Sequence, residues 1–534
     1  MDIKGHEVEA VEDVEDVAIS KHPQEDIKHK DRAAEYLQNA NQSVVVSPEE
    51  NKRILRKIDL TILPTMLAVY FLQQQDKSTL SYASVFGIVE DAKLKGEDFS
   101  WLGSIVYVAQ LVMQPIIAFF LVKLPTGKFG ATMVLCWGIV LSCMAVAKDF
   151  KGLLVTRLFL GCFEASVGPT FLAITVMWWR RSEQTNRNAA WYAMNGVTNM
   201  VGSLLAWGLG HIHSDTMYSY QIIFLACGLF TVVFSIVVYL YLPDDPITAR
   251  FLSEDDRLLA IERLRDNQMG VVSTEWKWKH VVESLMDLKS WFWFALIFSI
   301  SIPSGGITTF GPLIIKSFGF DSFKTILLNI PFGAVQIIAT MGGAAFATYT
   351  KRKAPALIAL CIPPIVGCVV LLCIPHEAAH KGPLLVGYYL ISVYPGISPL
   401  IYSWSTQNTA GETKKKVTTA LIFIGQSAGN IIGPHLYTPG EAPAYKRGLT
   451  SNLALFIILI ILIVLTNLYL IFLNKKHAER RVAVGKSAVI LDRSMMNVQE
   501  RAADVNDTDG VGTEGAKAFD DLTDIQNEDF IYVY

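Results

Sequence analysis

Twelve runs of largely apolar residues dominate the chain, at 60–88, 99–122, 130–147, 152–179, 187–210, 220–242, 290–315, 323–349, 354–374, 383–405, 417–436 and 450–474. A membrane-crossing helix needs about 20 such residues, and the runs match that length again and again. By length alone, 534 residues could form several soluble domains. The composition opposes that: only 18% of residues are charged, against about 25% in an average soluble domain. Mean hydropathy is +0.35. The chain is expected to be an all-α polytopic membrane protein with twelve transmembrane helices in two six-helix halves.

Charge is concentrated at the ends. Residues 1–31 hold ten Asp/Glu against four Lys, and residues 492–534 hold eleven acids against three bases. With a whole-chain charge of −3, the middle carries +11. Much of that excess alternates between loops: Lys52, Arg53, Arg56 and Lys57 before the first run, then Arg180, Arg181 and Arg187, Lys351–Lys353, Lys414–Lys416, and Lys475, Lys476, Arg480 and Arg481 after the last. Basic loops stay in the cytosol, so both termini are assigned there. The first 50 residues are polar and acidic and read as no signal peptide. All seven cysteines lie inside apolar runs with no CxxC pair, as expected of small buried hydrophobes.

The expected organisation is a disordered acidic cytosolic tail (1–57), a six-helix bundle (58–243), a cytosolic linker (244–289), a second bundle (290–474) and an acidic cytosolic tail (475–534), also read as disordered. Ser253-Glu254-Asp255-Asp256 has the form of a helix start, followed by amphipathic Leu258–Leu264. The six-linker-six arrangement suggests a duplication, although no repeat aligns between the halves. Asn41-Gln42-Ser43 and Asn506-Asp507-Thr508 fit the glycosylation pattern, but both fall in tails assigned to the cytosol.

Ionisable residues at membrane depth each cost about 2.5–3.5 kcal/mol or more and need a partner or a wet cavity. Four stand out: Asp76 and Lys77 in span 1, Arg157 and Glu164 in span 4. Arg157 and Glu164 are seven apart and share a face, about 10 Å apart along the axis. Asp76 and Lys77 point about 100° apart. Neither pair neutralises itself easily, so cross-pairing between spans 1 and 4 is expected in the empty protein. A static structural network is the competing reading. Polar stripes at Gln110/Gln114, Asn195/Asn199 and Gln426/Asn430 suit interhelical bonding or ligand contact. Gly305-Gly306 could break span 7 beside Thr308 and Thr309. Pro303, Pro331 and Pro395 mark expected kinks, and His435 reads as a structural hydrogen bonder.

Arg157-x-x-x-Gly161-x-x-Glu164, taken with Asp76-Lys77, resembles the anion:cation symporter branch of the major facilitator superfamily, and within it the fungal allantoate permease-like subgroup. "LPDDPITARFLSEDDR" after span 6, "NTAGETKKK" at 408–416, "IGQSAGNIIGP" at 424–434 and "APAYKRG" at 442–448 are similar to that subgroup. The resemblance implies the major facilitator fold, proton-coupling roles for Asp76 and Glu164, and substrate- and gate-organising roles for Lys77 and Arg157. Lys77 stands where many members carry Arg. The loop "KLPTGKFGA" lacks the family's usual Gly-x-x-x-Asp-Arg pattern.

The resulting expectation is a rocker-switch transporter that takes up a small organic anion such as allantoate, nicotinate or pantothenate with a proton. Asn199, Thr308, Thr309, Gln426 and Asn430 are candidate substrate contacts alongside Lys77 and Arg157. No metal, organic cofactor or nucleic acid is expected; the partners are the lipid bilayer and the anion, and the chain is read as a monomer in the plasma membrane, an internal membrane being the alternative. Export of a carboxylated metabolite and a non-transporting nutrient receptor are the rival functions. No nucleophile–base arrangement, phosphate-binding glycine loop or metal-ligand cluster points to an enzyme.

Overall fold

Inside a hydrocarbon layer a backbone must satisfy its own hydrogen bonds, which long apolar runs can do only as helices or in a closed barrel. A computed structural model describes residues 46–85, 88–95, 98–210, 217–267, 275–320, 322–376, 380–437, 441, 444–490, 492, 494 and 521–534. Both glycosylation-type sequences and most of the N-terminal tail lie outside the described residues. Every regular element among the described residues is helical.

Twelve spans follow in order. They are span 1 (Pro48–Val85), span 2 (Asp98–Lys123), span 3 (Thr126–Met144), span 4 (Phe150–Trp178) and span 5 (Arg181–Val197, continued by a π-turn at Thr198–Gly202 and by Ser203–Gly210). Span 6 is Ser219–Tyr241, and after the linker come span 7 (Leu288–Ser317), span 8 (Ser322–Thr350) and span 9 (Ala354–Cys373). Span 10 (Lys381–Gln407), span 11 (Glu412–His435) and span 12 (Lys446–Ala483) complete the set. Among the described residues nine of these are long and apolar enough to cross a membrane by length and composition. The three that fall short are spans 1, 5 and 11, which carry polar residues into the interior.

The two halves repeat one packing plan. Spans 1–5, 1–6, 2–4, 3–4 and 3–6 pack in the first half, and spans 7–11, 7–12, 8–10, 9–10 and 9–12 in the second. Between halves, span 2 lies on span 11 and span 5 on span 8. Glycine permits the close approaches: a Cβ on Gly161 would sit 2.4 Å from the Val106 carbonyl oxygen of span 2, and one on Gly196 would sit 2.4 Å from that of Gly333 in span 8.

Several expectations change. Span 7 is an unbroken helix through Gly305-Gly306; a Cβ on Gly305 would lie 2.8 Å from the Asn430 carbonyl oxygen, so these glycines admit span 11 rather than break the helix. Pro395, one of the three prolines expected to mark kinks, does interrupt its span, in the 3-10 turn Tyr394–Gly396 of span 10, while Pro303 and Pro331 lie inside the helices of spans 7 and 8. Span 12 extends to Ala483, well past its apolar run. Residues 521–534, read from sequence as part of a disordered tail, pack against the body, with Asp524, Phe530 and Tyr532 buried. The basic loop residues are not simply solvated charge either: Lys414, Lys415 and Lys416 are all buried.

The linker docks through charge. Ser253 caps the helix Glu254–Glu262 by accepting from the Asp256 amide at 3.3 Å. Asp256 pairs with Arg53 at 2.7 Å and Lys57 at 2.6 Å. Buried Arg263 donates to both carboxylate oxygens of Glu183 at 2.7 Å and to Asn51 at 3.0 Å. These ties join the linker to the starts of spans 1 and 5. A second linker helix, Trp278–Met286, leaves Trp278, Val282 and Met286 exposed on one side.

Candidate functional site

Glu164 is positioned by a fault in span 4. Regular helix stops at Glu164 and resumes at Val167. Pro169 explains the fault: it has no N–H to give to the Ala165 carbonyl four residues earlier. Neighbouring spans supply the missing donors. Gln114 Nε2 of span 2 donates to the Ala165 carbonyl at 3.3 Å, and Gln73 Nε2 of span 1 donates to the Glu164 carbonyl at 3.1 Å. The carboxylate is thus held at a braced helix break, 1% exposed, with neither oxygen hydrogen-bonded.

The four ionisable residues do gather in the first half, but they do not pair as expected. Asp76 is fully buried, and its Oδ2 accepts from Trp137 Nε1 of span 3 at 2.7 Å and from Thr231 of span 6 at 3.3 Å. Its other oxygen has no partner. Arg157 is 3% exposed, with Nε and Nη2 unsatisfied. Among the described residues none of the four forms an ion pair within 4.0 Å. They act on one another at longer range: Glu164 feels Lys77 and Arg157, and Asp76 feels Glu164 and Arg157. Tyr107 of span 2 faces both Arg157 and Glu164. The physical reason is competition. Trp137 and Thr231 offer Asp76 neutral donors at contact distance, and the span 4 fault fixes Glu164 away from both cations.

The remaining candidates are distributed differently. Asn199 donates to Gln336 of span 8 at 2.8 Å, across the boundary between halves. Gln426 accepts from Tyr402 at 2.8 Å, and Asn430 donates to the Gln426 carbonyl at 2.9 Å. Thr309 bonds back to the Gly305 carbonyl at 2.9 Å, while Thr308 hydrogen-bonds Tyr394. None of these five hydrogen-bonds to the charged quartet. Gln110 Nε2 has no partner; Asn195 donates to the Tyr70 hydroxyl at 3.2 Å.

Two features escaped sequence reasoning. One is the shell around the quartet: Gln73, Tyr107, Trp137 and Thr231. Pro169, five residues after Glu164, was the available signal for the break. The other is an aromatic cluster that crosses between halves. Trp191 stacks on Tyr402 with ring centres 6.3 Å apart, and Tyr402 stacks on Phe423 at 5.4 Å. Tyr70 and Tyr192 complete it. Tyr70 lies about 9 Å along span 1 from Asp76, toward the face that bears the linker. Further toward that face the halves are joined by polar contacts: Asn188 with Ser403 at 2.9 Å, Lys353 with Thr185 at 2.8 Å, and Gln407 with the Arg181 carbonyl at 2.5 Å. The structure is therefore sealed on the linker side.

Comparison with known proteins is consistent in kind. The model of the Major Facilitator Superfamily matches residues 66–434. An uncharacterized transporter of Schizosaccharomyces pombe is 34% identical over 82% of this chain and 83% of its own. The thiamine pathway transporter THI73 of Saccharomyces cerevisiae is 33% identical over 93% and 90%, and the allantoate permease of the same yeast is 28% identical over 94% and 90%. Among solved structures, a bacterial homolog of the human lysosomal transporter Spinster, inward-facing and occupied, superposes with a TM-score of 0.52 at 15% identity, covering 76% of this chain and 95% of that one.

Proposed function

Because the chain belongs to the Major Facilitator Superfamily and is a multi-pass membrane transporter, we propose that it carries a small organic anion across the membrane together with a proton. The observation that supports this most is the quartet: two buried acids and Arg157 without ion-pair partners, beside half-buried Lys77. A purely structural network would pair them, because an unpaired charge at this depth is costly. An arriving carboxylate supplies what Arg157 and Lys77 lack. Charge-assisted hydrogen bonds from the guanidinium and ammonium hold the anion. Asp76 and Glu164 carry the coupling proton, since neutralising them lets the loaded cavity move without a net buried negative charge.

The basic pair favours a carboxylate over a cationic solute. Allantoate, nicotinate, pantothenate and related acids are the substrates to test first, in keeping with the name of the yeast allantoate permease. Asn199 of span 5, together with Thr308, Thr309, Gln426 and Asn430 of the second half, would add neutral polar contacts once their present bonds exchange. The chain acts as a monomer in the plasma membrane with both termini cytosolic, which makes the sealed face the cytosolic one. No bound cofactor takes part. Uptake of labelled organic acids by a transport-null host, at two pH values and with a protonophore, tests the proposal. Concentrative, protonophore-sensitive uptake of one acid is expected; binding without flux against a gradient would instead mean a receptor.

A further inference from the structure

The end of the chain is built into the seam between the halves. Asp524 is fully buried between Lys289 of span 7, which it contacts directly, and Lys414 of span 11 at 3.1 Å. Its Oδ1 also accepts from the Ala410 amide at 3.2 Å. Burial alone would raise the Asp524 carboxyl, but the two lysines outweigh it and hold the group well below the usual carboxylate range. Asp521 pairs with Lys277 at 2.8 Å and accepts from the Glu412 amide at 2.7 Å. The backbone of the last residues is then held by side chains of the body. Asn474 exchanges two 2.8 Å bonds with Tyr532, Asn408 brackets Val533 at 2.7 and 2.9 Å, and Trp404 donates to the Val533 carbonyl at 2.8 Å.

The first half reaches this segment through Arg181, at the start of span 5. Its guanidinium donates to the Ile531 carbonyl at 2.9 Å and lies 4.9 Å over the Phe530 ring. The same guanidinium bonds the Gln407 carbonyl of span 10. One arginine therefore joins the first half, the second half and the C-terminal segment.

We propose that the linker-side seam is a docking site for the chain's own C-terminal segment, residues 521–534, and that docking latches this face closed. The latch is reversible because the charges beneath it balance without it. When Asp524 leaves, Lys414 keeps Glu283 at 2.9 Å and Asp287 at 3.0 Å, and Lys289 keeps Asp287 at 3.5 Å. Two cations then face two acids, so release strands no buried charge. That opening of this face discharges substrate rests on the transport reading above; the docking itself does not.

The test needs no substrate. Thr409 is buried and lines the cleft between spans 4, 10 and 11. Thr409→Cys is introduced into the purified full-length protein, and its reaction with a maleimide is followed by mass spectrometry of the peptide carrying it. Adding Asp524→Lys, which sets a third cation beside Lys289 and Lys414, is expected to speed labelling at least about tenfold, while Asp524→Glu leaves it slow. If D524K is not monodisperse, the chain truncated after Asp520 reads the same quantity. A synthetic peptide of residues 521–534 should then restore protection, and the same peptide with D524K should not. Equal labelling with and without the docked segment would overturn the latch and leave the transport proposal standing. Loss of proton-driven uptake in the wild type would do the reverse.

Discussion

At the linker-side seam, Lys414 sits within 3.1 Å of three carboxylates and Lys289 touches two. In span 4, Arg157 and Glu164 are as deeply buried, yet neither has an ion-pair partner. Both clusters place charge where water is scarce, but only the first is neutralised by contact. A paired cluster holds a conformation, since parting the spans that carry it separates charge from counter-charge; Asp524 alone can leave with Lys289 and Lys414 still paired to Asp287 and Glu283. An unpaired one stores a cost that a ligand or proton can relieve, so its members answer to what enters. The difference separates a fastening from a binding site within one molecule.

The largest effect that would sharpen this contrast is on transport. Glu164→Gln should reduce proton-driven uptake to the level of the empty host while leaving membrane delivery and the melting temperature unchanged or raised, because no partner is orphaned. Uptake at wild-type levels in that variant would remove Glu164 from the mechanism. At the seam the signs reverse. Lys414→Met leaves Asp287 and Asp524 to share Lys289 and takes the lysine from Glu283, and should cost about 3–5 kcal/mol, read as a fall in melting temperature of the detergent-solubilised protein. A stable K414M would show that the seam is not held by charge.

A smaller effect tests the scaffold of Glu164. Gln114→Leu strands the Ala165 carbonyl and should cost about 1–3 kcal/mol, with uptake impaired more than the stability loss explains. Identical uptake kinetics would mean that the brace does not position the carboxylate. The smallest concerns pH. Burial, aided by Arg181, lowers the Lys353 amine to about 7. A depressed lysine binds fewer protons in the folded state than in the unfolded one, so stability rises with pH from about 7 toward the ordinary lysine value. Melting temperature should therefore climb between pH 7 and 9 relative to Lys353→Met. Parallel curves for the two proteins would show that Lys353 stays charged in the seam.

Length and hydropathy determined that this chain crosses a membrane twelve times in two halves, because a backbone in hydrocarbon has few options and each helix needs its own apolar run. The four costly charges were equally legible, since Asp76, Lys77, Arg157 and Glu164 are conspicuous in apolar surroundings. Their partners were not. Trp137 and Thr231 lie in other spans, and nothing local says that they reach Asp76 before a lysine or arginine does. The matching packing of the two halves was not legible for the same reason: many apolar side chains satisfy one lipid-facing surface, so no repeat aligns even though span 1 packs on span 6 as span 7 packs on span 12. The acidic end of the chain reads as a solvated tail in composition alone. Only the fold, by leaving Lys289, Lys414 and Arg181 converging on one seam, decided that Asp524 and the residues after it would be buried there.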